Sequence, residues 1–250
     1  MGNGSNSPHT KVALITGGAR RIGSEIARCL HAEGMNIALH YRSSSDDAQT
    51  LCGELNAVRP GSVQIFQADL RDVAAIQELI ASATVSFSRL DVLVNNASSF
   101  FATPLGSVND AAYQDLLDTN LRAPLFLAQA AAPRLKETKG CIINIADIYG
   151  LIPLAAHAAY CAAKAGLIML TRSLALELAP DTRVNAVAPG AILWPETDCD
   201  DDERAAVLAN TPMARTGNPA DVAQAVLFLA RDAHYMTGQV IKVDGGRAIG

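Results

Sequence analysis

The chain has 250 residues, half of them hydrophobic, and a formal net charge of -5 at pH 7. That balance supplies apolar side chains for a large core and argues against a nucleic-acid partner, which would need a basic surface. The five cysteines (Cys29, Cys52, Cys141, Cys161 and Cys199) form no CxxC pair, so no metal site or disulfide framework is expected and a reducing cytoplasm suits them.

Residues 1–10, MGNGSNSPHT, are polar and rich in Gly, Ser and Asn. They read as a disordered lead-in without the charged and apolar regions of a signal peptide. Asn6 breaks the myristoylation pattern that Met1-Gly2 would begin. No apolar run approaches the ~20 residues of a membrane span, so no membrane partner is expected. KVALIT (11–16) then gives a strand apolar throughout, as one buried on both faces must be. The helix after it places Ile26, Ala27 and Leu30 on one face and stops at Gly34. NIALHY (36–41), SVQIFQ (62–67), DVLVNN (91–96), CIINIA (141–146), RVNAVA (183–188) and QVIKVD (239–244) are further strands. Helical segments fall between them near 46–58, 72–88, 107–136, 158–179 and 219–231, the last with Pro219 at its start and Val222, Val226 and Leu229 on an apolar face. This alternation predicts an α/β, Rossmann-type, doubly wound parallel sheet of about seven strands in a single catalytic domain, 11–250.

The first strand meets TGGARRIG (16–23), in which an arginine replaces a usual glycine. Gly17 can take the tight turn, Gly23 lets the helix approach the strand, and the helix N-terminus offers N–H groups to a pyrophosphate. The second strand ends in HYRSS, where an NAD site would carry a carboxylate for the ribose 2′-hydroxyl. His40, Arg42, Ser43 and Ser44 instead offer charge and donors, and Arg20 adds a cation beside the turn. Arginine suits a 2′-phosphate, so NADPH is the expected cofactor; the alternative for Arg42 is a solvated surface charge. Tyr160 and Lys164, four apart in YCAAK, share a helix face. An ammonium there would lower a phenol pKa that starts near ~10 and make tyrosine a usable acid.

With these residues in hand, the sequence resembles the short-chain dehydrogenase/reductase family from Thr16 to Gly246. The resemblance rests on the TGxxxRxG turn, Asp69 in ADL, Asn95-Asn96-Ala97, Asn120, Tyr160-x-x-x-Lys164, RVNAVAPG (183–190) and VDGG (243–246). It implies a hydride-transferring enzyme with Tyr160 as proton donor, Lys164 on the nicotinamide ribose and Asn120 holding a water relay. Asp69 would meet the adenine and Asn96 would lie along the cofactor. It also implies that Ile22, Tyr41, Leu70, Ala97, Pro189 and Gly190 line the cofactor cleft.

Two departures narrow the resemblance to the pteridine reductase branch, including dihydromonapterin reductase-like members. Asp147 stands where most members carry serine, thirteen residues before the tyrosine, and Asn96-Ala97-Ser98-Ser99-Phe100 replaces NNAG. The resemblance then implies a catalytic group of Asp147, Tyr160 and Lys164, with Phe100 stacking a pterin and Ser98 and Arg20 contacting substrate and cofactor phosphates. Chemistry agrees, because pterin ring nitrogens must gain protons as hydride enters the adjacent carbon, and a flat ring favours an aromatic platform. Asp147 could instead cap backbone N–H groups, Phe100 could be core packing with Phe101 as platform, and Arg21 rather than Arg20 could touch the ligand. Leu193 and Trp194 either wall the pterin pocket or pack in the core. The acidic run from Trp194 toward Met213 reads as a lid.

The expected activity is NADPH-dependent reduction of a dihydropterin or dihydrofolate. The competing activities are reduction of ketones or 3-oxoacyl thioesters, and a non-enzymatic NADP(H)-sensing role. The resemblance further implies a homotetramer whose long helices pair, and Leu125, Leu127, Leu167 and Leu170 would suit either such burial or the monomer core.

Overall fold

A computed structural model describes residues 10–193 and 201–249. Seven parallel strands lie in the order β3-β2-β1-β4-β5-β6-β7. They are β1 (Val12–Ile15), β2 (Asn36–Tyr41), β3 (Val63–Gln67), β4 (Val92–Asn95), β5 (Cys141–Ile145), β6 (Arg183–Pro189) and β7 (Val240–Val243). The chain winds outward from β1 to β3, returns to lay β4 beside β1, and winds outward again to β7. The reversal separates the C-terminal ends of β1 and β4, where ligands of open α/β sheets bind.

Helices cover both faces, as an all-parallel sheet requires. On one face α1 (Arg21–Ala32), α2 (Ser45–Val58) and α8 (Pro219–Arg231) bury Ile26, Leu30, Leu51, Val222, Val226 and Leu229 against alternate strand residues such as Ile15, Leu39 and Val94. On the other, α3 (Val73–Phe87), α5 (Ala123–Thr138) and α6 (Ala158–Leu178) meet Val12, Leu14, Leu93 and Ile142. Strand side chains alternate between faces, so β1 feeds both cores and reads as an unbroken apolar run.

Two elements differ from the sequence reading. The helix expected over 107–136 is α4 (Asp110–Leu117), a π-helical turn (Asp118–Arg122) and α5. Within the expected lid, Asp201–Ala209 forms a helix, α7, because Ala205, Ala206, Leu208 and Ala209 are strong helix formers. Trp194 lies outside the described residues. Leu127 and Leu167 are buried in the monomer core, whereas Leu125 stays exposed and Leu170 packs only partly.

Candidate active site

The glycine loop is held from below by β4. Asn96 donates from Nδ2 to the carbonyls of Thr16 and Gly17, both at 2.9 Å. The Thr16 hydroxyl accepts the N–H groups of Asn96 and Ala97. Gly17 has φ +59°, and an added Cβ would come within 3.0 Å of Ala97 Cα. At Gly23 a Cβ would lie 2.3 Å from the Gly17 carbonyl oxygen and 2.6 Å from Asn96 Nδ2, so only glycine lets α1 start this close to the loop. The first turn of α1 carries no acidic side chain, and Arg20 makes no side-chain cap there, which leaves a positive helix end for an anion. Arg21 occupies the position of the missing glycine and keeps a glycine-like φ of 54°. Ile22 packs partly against the core beside it.

The end of β2 is where one expectation is corrected. His40 is 1% exposed, with Nδ1 3.1 Å from the Gly17 amide and Nε2 3.1 Å from the Ala68 carbonyl. Burial pushes its pKa down to about 4. It is therefore a neutral internal strut and offers no charge to a ligand. Arg42 and Ser43 are exposed, and Ser44 caps α2 with no side-chain hydrogen bond. Arg20 Nε lies 3.7 Å from Asp47 on α2, so Arg20 leans toward this corner. Tyr41 is buried in the core. Asp69 is gripped by Arg71 at 2.6 Å, which holds its pKa down at about 2, and Leu70 is buried beneath it. In this structure the Asp69 carboxylate is engaged by Arg71, and any adenine contact would have to share it.

Where β5 meets α6 lie Asp147, Tyr160 and Lys164. Asp147 follows β5 and leads a 3₁₀ turn (Ile148–Gly150), accepting the Tyr149 N–H on Oδ1 at 2.9 Å. Its Oδ2 accepts the Tyr160 hydroxyl at 2.7 Å. Asp147 thus both caps the turn and pairs with the phenol. Burial raises the Asp147 pKa, opposed by the Tyr149 and Tyr160 hydrogen bonds and by the charges of Lys164 and Arg247. The phenol of Tyr160 is pushed well above its ordinary value by burial and by the Asp147 charge and hydrogen bond. The expected lowering by Lys164 is overturned: its Nζ sits 5.6 Å from the ring centroid and donates to the Ile145 carbonyl at 3.0 Å. Burial brings Lys164 itself down to about 8.

Asn120 sits in the π-helical turn with no exposure. Its Nδ2 donates to the Ser99 and Leu116 carbonyls, and its Oδ1 accepts the Ser98 hydroxyl at 2.6 Å. Asn120 thus braces the loop that carries Ser98 and Phe100. Phe100 is 48% exposed, stacked on His157 at 4.8 Å and 14° and edge-on to Tyr160 at 4.8 Å. Phe101 is also exposed, as is Leu193. At Gly190 an added Cβ would strike Asp244, and its N–H donates to the Val243 carbonyl, so the end of β6 beyond Pro189 is pinned to β7.

Two neighbours escaped the sequence reading. His157 is one turn before Tyr160, a spacing that could have flagged it. Arg247, whose guanidinium lies 5.7 Å over the Tyr149 ring, comes from the C-terminal 3₁₀ turn (Arg247–Ile249) and carries no local signal. Among the described residues no cluster of His, Cys, Asp and Glu could hold a metal ion, and no helix is long and apolar enough to cross a membrane.

A family model described as enoyl-(acyl carrier protein) reductase matches residues 17–248. The chain belongs to the short-chain dehydrogenase/reductase family. As a family oxidoreductase it is 39% identical to pteridine reductase 1 of Leishmania tarentolae, over 98% of this chain and 99% of the relative. It is 41% identical to the 3-oxoacyl-[acyl-carrier-protein] reductase FabG of Staphylococcus aureus, over 95% and 98%. It is 36% identical to 3beta-hydroxysteroid dehydrogenase 1 of Eggerthella lenta, over 96% and 94%. These names agree on an oxidoreductase and divide on its substrate.

Proposed function

We propose that this short-chain reductase uses NADPH to reduce a dihydropterin or dihydrofolate to the tetrahydro form. One observation carries the reading: a half-buried carboxylate, Asp147, takes the hydrogen bond of the Tyr160 phenol at 2.7 Å. Reduction of a ketone or of a pterin C=N bond takes up one hydride and one proton; a serine in this place would donate to a ketone oxygen, whereas the Asp147 carboxyl can pass a proton through Tyr160 to a ring nitrogen. The 39% identity to a pteridine reductase supports the same reading.

The residues present fit the dinucleotide. Gly17, Gly23 and the α1 N-terminus offer the cradle, with Asn96 and Ala97 beneath it, and Arg42, Ser43 and Arg20 would meet the 2′-phosphate. When bound, the nicotinamide supplies the hydride. Tyr160 keeps its proton at neutral pH, and because its pKa is raised it gives that proton up only to a strongly basic acceptor, such as a ring nitrogen whose neighbouring carbon has just been reduced. Asp147, which accepts the phenol hydrogen bond, is placed to return a proton to the phenol oxygen once it has itself taken one up from solvent. Lys164 spends one N–H on the Ile145 carbonyl and keeps two donors for the nicotinamide ribose. Phe100 offers a flat platform, with Ser98 on the same loop, and the exposed Leu193 would help wall a pterin. The free thiols of Cys29, Cys52, Cys141 and Cys161 suit a cytoplasmic enzyme.

The second reading is reduction of a 3-oxoacyl thioester, favoured by the 41% identity to FabG. NADPH oxidation, followed with dihydrobiopterin and with acetoacetyl thioester, separates the two. Turnover with the pterin is expected, and turnover of the thioester alone would overturn the proposal. Tyr160→Phe should lower kcat by roughly 10²–10⁴ while leaving NADPH affinity largely intact.

A further inference from the structure

We propose that His40 is a positioning residue that locks the two sides of the nucleotide cleft together, tying the glycine loop after β1 to the strand end after β3. The inference rests on the reading of that cleft as a dinucleotide site. In the sheet, β2 lies between β1 and β3, so a side chain at its C-terminal end can reach both flanking turns. His40 does so with opposite edges of one rigid ring. Nδ1 faces the Gly17 N–H at 3.1 Å, and Nε2 faces the Ala68 carbonyl at 3.1 Å. A backbone amide can only donate and a carbonyl only accept, so the partners select one neutral tautomer, protonated on Nε2. The backbone of the same residue adds a third tie, since the Gly18 N–H donates to the His40 carbonyl at 2.9 Å.

The tie connects functionally distinct segments. Gly17 is the left-handed turn residue of the loop, packed against Ala97, while Ala68 precedes Asp69 on the adenosine side. Burial keeps the ring neutral against the Ala68 hydrogen bond and, more weakly, the Asp69 charge, so Nδ1 stays an acceptor at neutral pH. A protonated ring would turn Nδ1 into a second donor aimed at an N–H and open the tie. Neither nitrogen is left for a ligand, so the contribution of His40 to cofactor affinity passes entirely through the loop.

The test measures NADPH dissociation constants and steady-state kinetics on the full chain for wild type, His40→Leu, His40→Asn and His40→Gln. Leucine removes both ties, asparagine can keep an acceptor near the Nδ1 position, and glutamine reaches the Nε2 position. His40→Leu is expected to weaken NADPH by about tenfold, raising the KM for NADPH with kcat within about twofold, as fits the loss of about one buried hydrogen bond's worth of preorganisation. His40→Asn is expected to recover most of that loss. A folded His40→Leu variant with wild-type NADPH affinity would overturn the inference. Should His40→Leu fail to fold, equal affinities for the asparagine and glutamine variants would overturn it instead. A wild type that prefers NADH would defeat the NADPH reading while leaving the His40 comparison to be made with NADH, and a wild type that binds neither dinucleotide would defeat both.

Discussion

Arg21 shows how a single residue can depart from a motif without changing the backbone. The usual glycine of the loop is gone, yet the chain still turns through φ 54° there. A left-handed residue with a Cβ costs roughly 1–2 kcal/mol relative to glycine. Arg21→Gly should relieve that strain, a gain of up to about 1 kcal/mol in urea unfolding that is offset by whatever the arginine side chain contributes. If the guanidinium serves a phosphate or the substrate, the same variant will lose NADPH or pterin affinity while keeping its fold. A drop in unfolding midpoint would mean instead that Arg21 is tied into the structure through its side chain. Gly23 contrasts with it, because there the backbone carbonyl of Gly17 stands where any side chain would begin.

At the scale of elements, the π-helical turn between α4 and α5 aims Asn120. One extra residue in the turn lets its amide reach the Ser99 carbonyl while still bonding Leu116 four residues back. The turn thereby fixes the Ser98–Phe100 loop. Asn120→Ala would leave the Ser99 carbonyl and the Ser98 hydroxyl without this partner, at a cost of about 1–3 kcal/mol in equilibrium unfolding. Turnover should fall too, with the larger effect on pterin KM, since Phe100 would lose its seat opposite Tyr160. Nothing in DTNLR marks such a turn: its residues continue a helical pattern, and the extra residue is set by bonds to a loop twenty positions away. The strands, by contrast, were legible because each is a short apolar run, and β2 falls on the expected residues 36–41. The pairing of Asp147 with Tyr160 was legible only through resemblance. Its geometry depends on where the end of β5 meets the start of α6. His40 was misread for a related reason. Both partners of its ring come from neighbouring strands remote in sequence, so nothing local shows that its nitrogens are spent.

Across the whole molecule, the strand order explains why residues from five strand ends converge. Outward winding in both directions from β1 and β4 puts the glycine loop, the β2 and β3 ends, Asn96 and Asp147 at one edge of the sheet. The opposite consequence lies on the outer helices. Leu125 on α5 and Met169 and Leu176 on α6 stay exposed, Leu176 at 84%. Met169 and Leu176 are two turns apart on one helix face, an apolar spacing that a solvated helix has no reason to keep. The core accounts for Leu127 and Leu167 but not for these three. If the chain assembles as a homotetramer through its long helices, these side chains are the ones that become buried. Sedimentation at micromolar concentration should then show a tetramer, and Met169→Lys with Leu176→Lys should shift it to smaller species by placing charges in an apolar contact. The secondary structure of that double variant should be retained, because neither side chain belongs to the monomer core. A wild type that sediments as a monomer, or a double variant that stays tetrameric, would move the interface away from α6.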